Sequence, residues 1–152
     1  MLIEIFILLV SFLAILFAFY LVFKVLKSPT GQGQVIEISS AIKEGAKAYL
    51  KRQYQTIALV TIFISAALYF TLGGLTTAGF LIGAFASGLA GYIGMSLAVR
   101  ANLRTTEAAK YGLEKALNLA FSGGAVTGLL VVGLGLLSVS GFYLLTYDLK
   151  AL

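Results

Sequence analysis

The sequence predicts an all-α integral membrane protein with four transmembrane helices, and three observations predict it. First, 60% of the 152 residues are hydrophobic and only 11% charged, with a mean hydropathy of +1.00. A soluble domain carries about 25% charged residues, so this chain has too little polar surface to cover such a core. Second, apolar runs recur at about 2–23, 56–72, 78–99 and 118–147, with the lengths needed to cross about 30 Å of hydrocarbon at about 1.5 Å per residue. Third, Lys and Arg alternate between rich and poor segments in step with those runs. The chain contains no cysteine and no histidine, which removes disulfides, thiolate chemistry and the usual zinc ligands. The net charge of +5 reflects topology and anionic lipid headgroups rather than nucleic acid.

The first run has no positive n-region, is too long for a signal peptide and is followed by no small-x-small cleavage site. It reads as a retained transmembrane helix closed by Lys24 and Lys27. Ser28-Pro29-Thr30-Gly31-Gln32-Gly33 holds the only proline and is a connecting loop. It lacks the Lys-Ser/Thr ending of a phosphate-cradling loop. A cytosolic amphipathic helix is expected at about 35–55. Ile38, Ile42, Gly45 and Tyr49 mark one face, with Ser40, Glu44, Lys47 and Lys51 opposite. Lys51 and Arg52 mark the return to the bilayer, so this segment and the second run form one long helix.

Gly73-Gly74-Leu75-Thr76-Thr77 reads as a short uncharged turn, which makes the runs on either side antiparallel neighbours. The third run carries Gly83, Ser87 and Gly91 at four-residue intervals, a small-xxx-small face that lets another backbone approach. A second cytosolic helical segment is expected at about 100–117. Arg100 and Arg104 share a face there. Arg104–Glu107, Glu107–Lys110 and Lys110–Glu114 have helical ion-pair spacings. The fourth run opens near Asn118 with Ser122-Gly123-Gly124, and Gly124 to Gly128 forms a GxxxG. Asp148 and Lys150 are expected beyond the bilayer. With four spans, ten of the eleven Lys and Arg residues fall on one side. By the positive-inside rule that side is cytosolic and both ends of the chain face away from it.

None of the six acidic residues lies well inside a run, nor does any Lys or Arg. Ion pathways through a bilayer almost always use such a residue, so these four helices alone do not read as a pump. A pore lined by backbone carbonyls or Ser and Thr hydroxyls stays open as a reading. The glutamates are scattered among lysines without the clustering that magnesium needs. Ser39-Ser40 and Thr105-Thr106 lack a neighbouring base. Taken alone, the residues describe a membrane scaffold with a basic cytosolic face.

Three stretches add a resemblance. EISSAIKEGAKAYLKRQYQTIA (37–58), GLAGYIGMSLAVRANLRTTEAA (88–109) and LNLAFSGGAVTGLLVVGLGLL (117–137) resemble, in order and spacing, the N-terminal part of the membrane-bound, ion-translocating inorganic pyrophosphatases. The resemblance implies a homodimeric pump with about sixteen transmembrane helices per subunit. It would hydrolyse pyrophosphate with Mg2+ on the cytosolic side, in some members with K+, and move H+ or Na+ outwards. It also implies that these four helices belong mainly to an outer ring around inner catalytic helices. The catalytic aspartate motifs belong to later helices, so no catalytic or metal-binding residue carries over. What carries over is the pattern Arg100, Asn102, Arg104 and Glu107 with Ser122, Gly123 and Gly124, in positioning and packing roles. Arg100 and Arg104 are also candidates for substrate contact, because guanidinium suits phosphate.

The expectation is therefore an N-terminal piece of such a pump, inactive alone, in the cell membrane if the source is prokaryotic. It would have the lipid bilayer, the inner-ring helices and a second subunit as partners and no nucleic acid. The alternative is a self-standing four-helix scaffold or small channel. The Gly83–Ser87–Gly91 and Gly124–Gly128 faces are expected to meet other helices.

Overall fold

A computed structural model describes residues 2–148. Four helices follow one another: α1 (Leu2–Lys27), α2 (Gln34–Leu72), α3 (Gly74–Ala109) and α4 (Leu113–Thr146). All four are long and apolar enough to cross a membrane, so the protein is an integral membrane protein. Lys150, expected outside the bilayer, lies outside the described residues.

The second run and the amphipathic segment before it are one helix, as the uninterrupted sequence requires. The turn after it is tighter than the sequence predicts. Only Gly73 leaves the helical conformation, and α3 starts at Gly74 rather than beyond Thr77. Gly73 adopts φ +90°, which a residue without Cβ does at no steric cost. Its N–H donates to Leu68 O at 3.1 Å, and the Thr77 hydroxyl donates to Gly73 O at 3.0 Å. The expected single segment over 100–117 is divided instead. α3 ends at Ala109 and Gly112, at φ +118°, turns the chain so that α4 begins at Leu113.

α4 lies between α1 and α3, and α2 leans on α3 from the other side. The buried cluster combines Ala18, Leu21 and Val25 of α1, Ala90, Leu97 and Ala101 of α3, and Leu119, Val126 and Leu130 of α4. α2 contributes no buried residue. In a bilayer, burying Leu against Leu gains little over lipid, so helix contacts depend on small residues that allow close packing. The three-helix cluster follows that rule. A Cβ on Gly94 would lie 2.6 Å from Thr127 Oγ1, one on Gly123 2.9 Å from Ala101 Cβ, and one on Gly133 2.8 Å from Ile15 Cγ1 and 3.1 Å from the Ser11 carbonyl. Three hydroxyls inside the bundle bond to their own helices: Ser11, Ser122 and Ser138 donate to the carbonyls of Ile7, Asn118 and Leu134 at 2.7 Å each. This is the standard accommodation of Ser in apolar helices.

The predicted apolar face of the α2 extension is largely exposed, with Ile38 and Ile42 at the edge of a groove shared with Val99 and Leu103 of α3. Ile38, Ile42 and Tyr49 are 59%, 49% and 56% exposed, whereas Val35, Ser39, Ala46, Leu50 and Tyr54 are half-buried on the α3 side.

Candidate functional site

Polar side chains gather at the basic end of the bundle, where α1 ends, α3 ends and α4 begins. Arg104, four residues from the α3 terminus region that starts at Arg100, reaches across to α1. Its Nε donates to Ser28 O and its Nη2 to Leu26 O, both at 3.1 Å, while Nη1 donates to Arg100 O at 2.9 Å. The last carbonyls of a helix have no partner within it, and a cation near them also complements the helix dipole. One guanidinium therefore caps α1 and fixes it to α3. Burial against α1, and next the charge of Arg100, lower the Arg104 pKa from its ordinary value. A guanidinium nevertheless stays charged at physiological pH.

Two further contacts fasten the same corner. Glu107 pairs with Lys110 at 2.6 Å, and its side chain is only 12% exposed against 56% for Lys110. The Glu107 carboxylate also rests on the α1–α2 loop at Gly31, where φ is +72° and a Cβ would lie 2.5 Å from Oε2. Both the conformation and the space there call for glycine. Across the corner, Lys24 Nζ donates to Asn118 Oδ1 at 3.1 Å, tying α1 to the start of α4.

The other residues singled out in the sequence fall in two groups. Arg100 is exposed and its side chain lines a groove between α2 and α3 with Lys43, Lys47 and Lys51. Asn102 is exposed and lines a groove between α2 and α3 with Ile38 and Ile42. Ser122 and Gly123 are buried, Gly123 against Ala101. By contrast, a Cβ on Gly83, Gly124 or Gly128 would meet nothing within 4 Å, and Ser87 is exposed. A Cβ on Gly91 would lie 3.3 Å from the Tyr54 hydroxyl. Among the described glycines within helices, those whose Cβ would come closer than 3.0 Å to a neighbour are Gly94, Gly123 and Gly133.

Sequence reasoning missed four of the residues that hold the bundle: Lys24, Tyr54, Asn118 and Gly133. Tyr54 donates its hydroxyl to the Gly88 carbonyl and stands edge-on to Tyr92, with ring centroids 5.9 Å apart. A half-buried tyrosine at the start of an apolar run, facing glycines on the neighbouring run, was the available signal. Chemically, the corner holds helices together. Among the described residues no three carboxylates converge.

The fold and this corner define a class: a polytopic α-helical membrane protein whose spans are joined and braced at one basic end. The family profile for inorganic H+ pyrophosphatase matches residues 12–151. The chain belongs to that family. It is 51% identical over 142 residues to a K(+)-insensitive pyrophosphate-energized proton pump of Methanosarcina mazei, covering 92% of this chain and 21% of that protein. A K(+)-insensitive pyrophosphate-energized proton pump 2 of Moorella thermoacetica is 48% identical over 86% of this chain and 19% of its own length. A relative of Bacteroides thetaiotaomicron, named among K(+)-stimulated pyrophosphate-energized sodium pumps, is 43% identical over 89% of this chain and 19% of its own. The chain spans about a fifth of the length of these curated relatives.

Proposed function

We propose that this chain is the N-terminal portion of a pyrophosphate-energised ion pump, in which cytosolic hydrolysis of pyrophosphate drives H+ or Na+ across the membrane. The observation that carries the reading is 51% identity over 92% of the chain to a pump of which it covers 21%. Relatives named as proton pumps and as sodium pumps both match, so the transported ion is decided outside these four helices.

The role of this segment is structural. It serves as a single membrane unit in an outer ring, with its basic end in the cytosol, and inner helices and a second subunit complete the machine. Two properties support that reading. Ten of eleven basic residues fall on one side of four spans. The outer faces of α1 and α2 present Phe12, Phe17, Ile62, Phe63 and Phe70 to their surroundings, as suits lipid or further helices. Arg104, Glu107 and Gly123 act in positioning and packing, whereas Arg100 and Asn102 are exposed and Gly124 is open. Arg104 spends three of its nitrogens on carbonyls, which favours a brace over a contact with substrate. Mg2+, and K+ where it is required, are held by residues outside this chain.

Membranes containing the protein at its full native length provide the test. Magnesium-dependent release of phosphate from pyrophosphate is expected, and single Ala substitutions at Asn102 or Gly124 are expected to retain it. Absence of pyrophosphate hydrolysis from well-expressed, folded protein overturns the reading.

A further inference from the structure

The groove between α2 and α3 has the chemistry of an amphiphile site. Its mouth, of about 550 Å³, is lined by Lys43, Lys47 and Lys51 on successive turns of α2 and by Arg100 of α3. Among the described residues none of these four cations has an ion-pair partner, whereas Lys24, Arg104 and Lys110 at the neighbouring corner are all engaged. The floor beneath the cations is apolar, with Leu50, Met95 and Val99.

The groove does not end at its mouth. Tyr54 and Tyr92 line both the basic mouth and a second, almost wholly apolar trench of about 630 Å³. That trench follows α2 and α3 past Ile57, Thr61, Phe85 and Leu89 and reaches Leu81. From Tyr92 to Leu81 the helix rises roughly 16 Å at about 1.5 Å per residue. One leaflet of hydrocarbon is about 15 Å deep. The trench thus has the depth of one leaflet. The tyrosine pair stands at the junction of basic and apolar parts, the position that amphipathic rings favour at a membrane interface.

We propose that this groove binds an anionic phospholipid. The headgroup phosphate lies among Lys47, Lys51 and Arg100, and an acyl chain occupies the trench below Tyr92. Four cations along the groove, none of them ion-paired among the described residues although Glu44 lies one turn from Lys47 on the same face of α2, select a phosphate-bearing partner over an apolar helix, and the trench selects a lipid over free phosphate. The proposal depends on the orientation given above only for which leaflet supplies the lipid.

The full-length protein in mild detergent is the material for the test, with no pyrophosphate added, so the outcome is independent of pump activity. Retention of phosphatidylglycerol, phosphatidylcholine and inorganic phosphate is measured by native mass spectrometry and by the shift in thermal unfolding midpoint. Phosphatidylglycerol is expected to bind at least tenfold more tightly than phosphatidylcholine. The K47Q/K51Q/R100Q variant should lose that preference while its midpoint in detergent alone stays unchanged. Ala58→Phe, which adds bulk in the trench, should weaken both lipids together and leave any phosphate signal alone. Equal binding of the two lipids overturns the proposal, as does full retention by the triple variant. Stabilisation by inorganic phosphate equal to that by phosphatidylglycerol assigns a free-phosphate site instead. Absence of any retained lipid means that another part of the pump covers the groove, and likewise overturns it.

Discussion

Replacing Arg104 by Ala removes the two hydrogen bonds that cap α1 and join it to α3. A hydrogen bond from a charged donor contributes roughly 1.5–3 kcal/mol when buried and about 1 kcal/mol when water can take its place. Arg104 is half-buried, so the freed carbonyls of Leu26 and Ser28 regain water in part. A loss of about 1–3 kcal/mol is expected, roughly a 5- to 150-fold rise in local opening. Hydrogen-exchange mass spectrometry on the full-length protein reads that opening directly, in peptides covering residues 20–34. Arg104→Lys should recover only part of the protection, because an ammonium cannot span two carbonyls as a planar fork does. Arg100→Ala is the internal control, since its side chain lines the groove and makes no contact with α1. Unchanged exchange in Arg104→Ala, or an equal rise in Arg100→Ala, would refute the capping argument.

Glycine substitutions sort the bundle's close contacts. Gly133→Ala, whose Cβ would meet Ile15 and the Ser11 backbone, should cost about 1–3 kcal/mol, while Gly83→Ala, open on all sides, should fall within about 0.5 kcal/mol of wild type; unfolding in SDS titrations measures both. Gly91→Leu is expected to displace the Tyr54 side chain and lower folded yield, and unchanged yield counts against a packing role there. Tyr54→Phe removes the hydroxyl bond to Gly88 and should weaken the α2–α3 contact by about 0.5–1.5 kcal/mol, seen as faster exchange in residues 50–60. Glu107→Gln should have a small effect of at most about 1 kcal/mol that shrinks with salt, because Lys110 is largely exposed.

Much of the fold was legible because hydropathy and charge report the bilayer directly. The four runs and the basic segments beside them reappear as α1 to α4 and the basic end of the bundle. Which faces meet was not legible, and the reason is physical. In water an apolar stripe marks the buried side of a helix, but in a bilayer lipid accepts that stripe equally well. Ile38, Ile42 and Tyr49, on the part of α2 before its apolar run, also read as a packing face and stand largely exposed, because the adjacent stripe of Val35, Ser39, Ala46 and Leu50 is the one turned to α3. Small-residue stripes carry the same ambiguity. Gly83–Ser87–Gly91 and Ala86–Ala90–Gly94 run along adjacent sides of α3, and only the presence of Thr127 on α4 makes Gly94 the tight one. The break at Gly112 was masked by ion-pair spacings that run through it. The partners of Arg104 were invisible for a different reason: they are backbone carbonyls, which every residue carries and no side-chain pattern marks.

We propose that the segment is part of a pyrophosphate-driven pump. The full-length protein in sealed liposomes, supplied with magnesium and pyrophosphate on the outside, tests this most directly. Phosphate release accompanied by H+ or Na+ entering the lumen, and abolished when pyrophosphate is withheld, is the result expected. Folded protein that moves neither ion and leaves pyrophosphate intact would contradict it.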